Sequence, residues 1–100
     1  MKEISPQELK KWMDEKVDFE LIDVREEHEY EEVNMGAKLI PMGEVMQRAA
    51  EIPKDKKVVV HCRSGMRSAT VIKTLEDKLG YTNLYNLKGG IIAYKNETGL

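Results

Sequence analysis

Cysteine is scarce in this chain of 100 residues: Cys62 stands alone. One thiol excludes an internal disulfide and any zinc site built from several cysteines. Only two histidines, His28 and His61, accompany it, so no metal site is expected, and no cofactor is implied. No apolar run approaches the length that spans a bilayer. The opening residues Met1 to Pro6 lack the apolar core of a signal peptide. Positive charge is not in excess: the net charge of −2 argues against a nucleic-acid partner. Repeats, low-complexity tracts and linkers are absent. Hydrophobic residues are 41% and charged residues 34% of the chain, which fits a soluble globular protein. The expectation is one domain over residues 1–100.

The charge is unevenly spread. Residues 1–32 hold 5 basic and 12 acidic side chains, a balance of −7, whereas residues 61–90 hold 5 basic and 2 acidic, a balance of +3. A small anion is therefore least repelled around Cys62. The acidic cluster Glu26, Glu27, Glu29, Glu31 and Glu32 reads as a solvated face, and Lys73, Lys78 and Lys88 as ordinary surface charges.

Strand and helix signals alternate. Ser5, Pro6 and Glu8 open a helix whose apolar face is Leu9, Trp12 and Met13. Phe19 to Val24 reads as a strand, the stretch from Glu26 to Glu32 as a helical turn, and Lys38-Leu39-Ile40 as a short strand. Val45, Ala49 and Ile52 predict a helix over 43–51, stopped before Pro53. Val58-Val59-Val60 has the pattern of a strand buried on both faces. A helix follows with Ala69, Ile72, Leu75 and Leu79 facing inward and Gly80 as its stop. Leu84 to Leu87 is the last strand, and Gly89-Gly90 opens a final helix over Ile91 to Glu97. Such alternation predicts an α/β fold with a mainly parallel sheet.

Cys62 follows the buried strand, and ligands of open parallel sheets bind just past the carboxyl ends of strands. The residues after it enter a helix, whose unpaired N–H groups favour an anion. That field, with Arg63 and Arg67 nearby, lowers a thiol's pKa. Cys62 is thus expected to be a thiolate near neutral pH, able to attack electrophilic sulfur or phosphorus. Arg67, at the helix entry, is expected to fold its guanidinium back on the loop. His61 is expected to point away from Cys62, because strand neighbours face opposite sides.

Three motifs carry a family resemblance. His61-Cys62-Arg63-Ser64-Gly65-Met66-Arg67-Ser68-Ala69 resembles the active-site loop of single-domain rhodanese-type sulfurtransferases. Leu21-Ile22-Asp23-Val24-Arg25-Glu26, with Glu29-Tyr30 and Gly36-Ala37, is similar to that family's first signature. Leu87-Lys88-Gly89-Gly90-Ile91 with Ala93-Tyr94 is similar to its last. The resemblance spans nearly the whole chain. It implies a small rhodanese-like domain: a central, mainly parallel five-stranded sheet with helices on both faces. It also implies sulfur transfer through a Cys62 persulfide, cradled by a loop of Arg63, Ser64, Gly65, Met66 and Arg67. Asp23 and Arg25 would support the site as orienting residues or as an internal ion pair. The implied partners are a small anionic sulfur donor such as thiosulfate, and cyanide, a thiol or a protein as acceptor, with no role for nucleic acid or membrane. No second cysteine can resolve the persulfide, so the acceptor must be external.

Two alternatives stand beside that reading. One is a sulfur carrier or interaction module that holds a persulfide for a partner without turnover. The other is a cysteine-dependent phosphatase or arsenate reductase. The loop disfavours the second: four residues separate Cys62 from Arg67, and Ser68 stands where the longer loop of phosphatase relatives needs arginine. The chain departs from the family pattern at Val33-Asn34-Met35, one residue short, and at Tyr94, where many members have tryptophan. A free reactive thiol fits the reducing cytoplasm, the expected location.

Overall fold

The capping signals at the start of the chain are realised. Ser5 Oγ accepts the Glu8 N–H at 3.1 Å, and Pro6 takes the first helical position. The computed structural model describes residues 1–100. Its elements run β1 (Lys2–Ile4), α1 (Pro6–Asp14), β2 (Phe19–Asp23), α2 (Glu27–Glu32), β3 (Lys38–Leu39), β4 (Lys57–His61), α3 (Met66–Leu79), β5 (Leu84–Leu87) and α4 (Gly90–Thr98). The five strands form one sheet in the order β1-β5-β4-β2-β3, and every pairing is parallel.

The valine run on β4 explains why the sheet is covered twice. Val58, Val59 and Val60 are all fully buried, yet successive side chains of a strand point to opposite faces. Val58 and Val60 join Ile22, Ile72, Leu75 and Leu84 in a cluster packed by α3, while Val59 joins Ile4, Leu9, Leu87 and Tyr94 in a second cluster packed by α1 and α4. Tyr94, at the departure from the usual tryptophan, is buried there and its hydroxyl lies 3.4 Å from Met13 Sδ. No helix is long and apolar enough to cross a membrane.

Topology places the site. The chain leaves β2 for β3 on one side and β4 for β5 on the other. The carboxyl ends of β2 and β4, neighbours in the sheet, therefore flank the point where the winding reverses. Asp23 ends β2 and His61 ends β4, in register with each other.

Two expectations need correction. The helix expected over 43–51 is two separate 3-10 turns, Met42–Glu44 and Ala49–Glu51. Val45 and Ile52 are buried as their spacing requires, but Arg48, with φ −110° and ψ 16°, leaves helical geometry between the turns. Arg48 instead pairs with Glu44 and Glu51, and short 3-10 pieces suit so brief a connector. On α3 the inward face is Ser68, Val71, Ile72 and Leu75 rather than one that includes Ala69 and Leu79. Ala69 is only half-buried, and Leu79 lies exposed in the last turn beside the left-handed Gly80.

Candidate active site

The alternation along β4 continues into the loop and sorts its first two side chains. Cys62 falls on the side of Val58 and Val60 and belongs to their cluster. His61 falls on the other side, beside Asp23, with Nε2 3.7 Å from Asp23 Oδ2. The expected divergence of His61 and Cys62 is what the structure has. His61 is fully buried, and burial holds its pKa below the ordinary imidazole value against the pull of Asp23. It is neutral near pH 7, and its Nε2 has no hydrogen-bond partner.

The loop 62–67 turns its N–H groups onto sulfur. The Gly65 N–H donates to Cys62 Sγ at 3.1 Å and the Ser68 N–H at 3.4 Å. The Ser68 hydroxyl oxygen lies 3.3 Å from the same sulfur. Burial pushes the Cys62 thiol up. The Ser68 hydroxyl and the N–H groups of Ser68, Gly65 and Ser64 outweigh that and leave its pKa below the usual thiol value. Such a sulfur is a nucleophile whose negative charge, and that of any sulfur attached to it, already has donors facing it.

The carbonyls of the same loop are held the other way. The Ile91 N–H donates to the Cys62 carbonyl at 2.9 Å and the Ile92 N–H to the Arg63 carbonyl at 3.2 Å. These are first-turn donors of α4, which have no partner within their own helix. Asn86 Nδ2 donates to the Gly65 carbonyl at 3.1 Å, while Asn86 Oδ1 accepts the Ser68 hydroxyl at 2.6 Å. With its carbonyls fixed outward, the loop has its N–H groups left to face Sγ.

Gly90 makes that docking fit. Its φ is +65°, and a Cβ there would sit 2.3 Å from the Arg63 carbonyl oxygen and 2.6 Å from the Ser64 nitrogen. Gly90→Ala is therefore expected to cost about 2–4 kcal/mol, from the left-handed backbone and from overpacking against the loop. Urea denaturation measures the loss. Gly36→Ala, where φ is +75° but no atom lies within 4 Å, is expected to lose only about 1 kcal/mol for the backbone strain. Equal losses at the two positions would contradict the role given to the Gly90 contact.

Two ion pairs frame the loop. Arg25 lies buried against Asp23: Nε is 3.1 Å from both carboxylate oxygens and Nη2 is 2.8 Å from Oδ2. Arg25 also donates to the carbonyls of Glu29 at 3.3 Å and Val33 at 2.7 Å, gripping α2. The second pair joins α2 to α3: Arg67 donates to both oxygens of Glu29, at 2.7 and 2.9 Å. Hydrogen bonding to Arg67 holds the Glu29 carboxyl down to about 2, so it stays ionised at neutral pH.

The structure thus brings Gly65 and Ser68 to Cys62 Sγ, with Arg63, Ser64 and Met66 exposed on the rim. Asp23 and Arg25 form an internal ion pair one strand away. The guanidinium of Arg67 corrects its expectation: it is spent on Glu29 rather than folded onto the loop. Glu29 is correspondingly not part of a solvated acidic face. Sequence reasoning missed Ser68 and Asn86 as well. Ser68 adjoins the loop, and its spacing of three, four and seven residues from Val71, Ile72 and Leu75 is the signal that places it on the inner face of α3. Asn86 was not recognisable, because only the sheet brings β5 beside the loop.

A cleft of about 200 Å³ opens next to the loop. Arg63 borders it from the loop, Glu29 and Glu32 from α2, and Ile91, Ile92 and Lys95 from α4. A small anionic or amphipathic molecule entering there meets Arg63 and Lys95, which form no salt bridge, whereas Arg25 and Arg67 are each paired with a carboxylate.

Comparison with known proteins agrees with this architecture. The rhodanese-like domain profile matches residues 5–97. The putative sulfurtransferase YtwF of Bacillus subtilis is 38% identical over 99 residues, covering 98% of this chain and 94% of that protein. A sulfurtransferase of Allochromatium vinosum is 38% identical over 93 residues, covering 92% and 86%. The crystal structure of a rhodanese-like domain protein from Staphylococcus aureus superposes with a TM-score of 0.88 at 32% identity, covering 98% of this chain and 95% of that one. Other curated relatives are much longer, and the chain spans only 24% of the length of some of them. On sequence, fold and loop together, this chain belongs to the rhodanese-like domain family.

Proposed function

We propose that residues 1–100 act as one rhodanese-like domain that moves sulfane sulfur from thiosulfate or a thiol persulfide to cyanide or a thiol, through a persulfide on Cys62. The observation that carries this reading is the convergence of the Gly65 and Ser68 N–H groups on Cys62 Sγ, with the Ser68 hydroxyl oxygen 3.3 Å away. The Cys62 thiolate attacks the outer sulfur of thiosulfate. A bond forms between Sγ and that sulfur, the donor's own S–S bond breaks, and sulfite leaves with the bonding pair. The outer sulfur of the new persulfide keeps one negative charge, which the loop N–H groups face. Cyanide then attacks that sulfur, thiocyanate leaves and the Cys62 thiolate returns. No cofactor enters either step.

Arg63, Ser64, Gly65, Met66 and Arg67 form the cradle in this reading, and Asp23 and Arg25 hold its floor. A thiol acceptor, free or on a protein, comes from outside, since the chain has no second cysteine of its own. One free, reactive thiol suits a reducing compartment such as the cytoplasm. Phosphoryl transfer fits less well, because the loop is short and Ser68 stands where an additional arginine would serve a phosphate.

The test is to incubate the protein with thiosulfate and, separately, with cysteine persulfide, and to follow intact mass and thiocyanate. Cys62 should gain one sulfur, and cyanide should release it as thiocyanate with multiple turnovers. A sulfur gain without turnover would mark a carrier instead. Hydrolysis of an aryl phosphate with no sulfur gain would overturn the proposal.

A further inference from the structure

Charge around the thiol is more fully balanced than the sequence suggests. Arg67 is, with Arg63, one of the two cations of the loop, yet both of its outer nitrogens are bound by Glu29. The Glu29 side chain is 18% exposed and that of Arg67 35%, so the pair is half-buried and well formed rather than a loose surface contact. A bidentate arginine–carboxylate pair is the strongest common ion-pair geometry. Glu29 Oε1 also accepts the Glu26 N–H at 3.0 Å, which anchors the carboxylate to the first turn of α2. Arg25 is neutralised in the same way by Asp23. In the cleft this leaves Arg63 and Lys95 against Glu32, one surplus positive charge beside the Cys62 loop.

That balance bears on the donor. Thiosulfate brings two negative charges to a site that already holds a thiolate. A thiol persulfide brings one at its reacting end. Glu29 itself lines the cleft, and Arg67 feels the charge on Cys62, so one charge changed there alters the relative rates for a dianion and a monoanion by up to roughly tenfold.

Resting on the proposed sulfur transfer, we infer that Glu29 is a specificity-determining residue: by occupying Arg67 it disfavours small dianionic donors and favours thiol persulfides of lower charge. With a persulfide donor the Cys62 thiolate attacks the outer sulfur, the donor's S–S bond breaks, and the donor thiolate leaves with the electron pair. The outer sulfur and its charge or proton pass to Cys62, so no oxidant or reductant is consumed.

The experiment compares kcat/KM for thiosulfate and for cysteine persulfide, with cyanide as acceptor, in wild type, Glu29→Gln and Glu31→Gln. Glu31 is an exposed residue of the same helix, so its variant makes the same change in net charge without touching Arg67. The ratio of thiosulfate to persulfide kcat/KM should rise roughly tenfold in Glu29→Gln and stay within about twofold in Glu31→Gln, following the size of one unmasked charge. The gain should shrink at high salt and vanish in the double variant Glu29→Gln/Arg67→Met. Glu29→Asp, which keeps the charge, should restore the wild-type ratio. An unchanged ratio in Glu29→Gln, or the same rise in Glu31→Gln, would overturn the inference while leaving sulfur transfer intact. Absence of a Cys62 persulfide with both donors in the wild type would remove the underlying reading instead.

Discussion

Cys62→Ser should fold normally and lose thiocyanate formation by at least about a thousandfold, the scale seen when a covalent nucleophile is removed. Serine fits the site: it is smaller than cysteine, and its hydroxyl can accept from the Gly65 and Ser68 N–H groups that now meet Sγ. It fails chemically. The loop N–H groups and Ser68 hold the thiol's pKa below its ordinary value, whereas the same donors act on an alcohol whose ordinary pKa lies far higher. A seryl oxygen also forms no persulfide, so no intermediate exists for the acceptor to attack. Steady-state assays with thiosulfate and cyanide, paired with urea denaturation, separate lost chemistry from lost fold. Full turnover in the variant would exclude Cys62 as the sulfur carrier. Unfolding of the variant would shift the burden to Cys62→Ala, which leaves the buried cluster around Val60 and Val71 with an apolar methyl.

Arg25→Ala is expected to destabilise the fold by about 3–5 kcal/mol, the cost of removing one partner of a buried pair. Asp23 and Arg25 are 0% and 3% exposed. Without Arg25 the Asp23 carboxylate keeps the N–H of residue 25 but loses its counter-charge, and water reaches it poorly. The carbonyls of Glu29 and Val33 lose their donor at the same time. Against a typical domain stability of about 5–15 kcal/mol, this is a large fraction, read as a lower urea midpoint. The double variant Asp23→Leu/Arg25→Met should be less damaged than Arg25→Ala, because no unpaired charge remains buried. A loss below about 1 kcal/mol in Arg25→Ala, the range of surface pairs, would show that the pair is not structural. Because Arg25 grips α2, the variant should also loosen Glu29 from Arg67.

Much of the fold was legible in local patterns. Ser5-Pro6 fixed the start of α1, Gly80 the end of α3, and Val58-Val59-Val60 the doubly covered strand. These signals are strong because each rests on one residue's backbone preference or on a period of two. The segment 43–51 misled because Val45, Ala49 and Ile52 are compatible with helical spacing and also with two tight turns. Periodicity reports which residues are buried, and Arg48 decided the backbone by pairing with Glu44 and Glu51. Leu79 misled for the related reason that a helix's last turn can run past the edge of the core.

Chain order and residue pattern suffice for the parallel α/β class, the position of Cys62 at a strand's carboxyl end, and the length of the loop after it. Those are local properties of chain order, periodicity and spacing. Tertiary structure alone decided what surrounds the thiol. Asn86 and Ser68 are 18 residues apart, and Arg67 and Glu29 are 38 apart, so no local pattern links either pair. The sheet order seats β5 beside β4 and brings Asn86 under the loop, and the Asp23–Arg25 pair holds α2 where Glu29 meets Arg67. The one cysteine was visible at once; its hydrogen-bond donors and the charge balance around it required the fold.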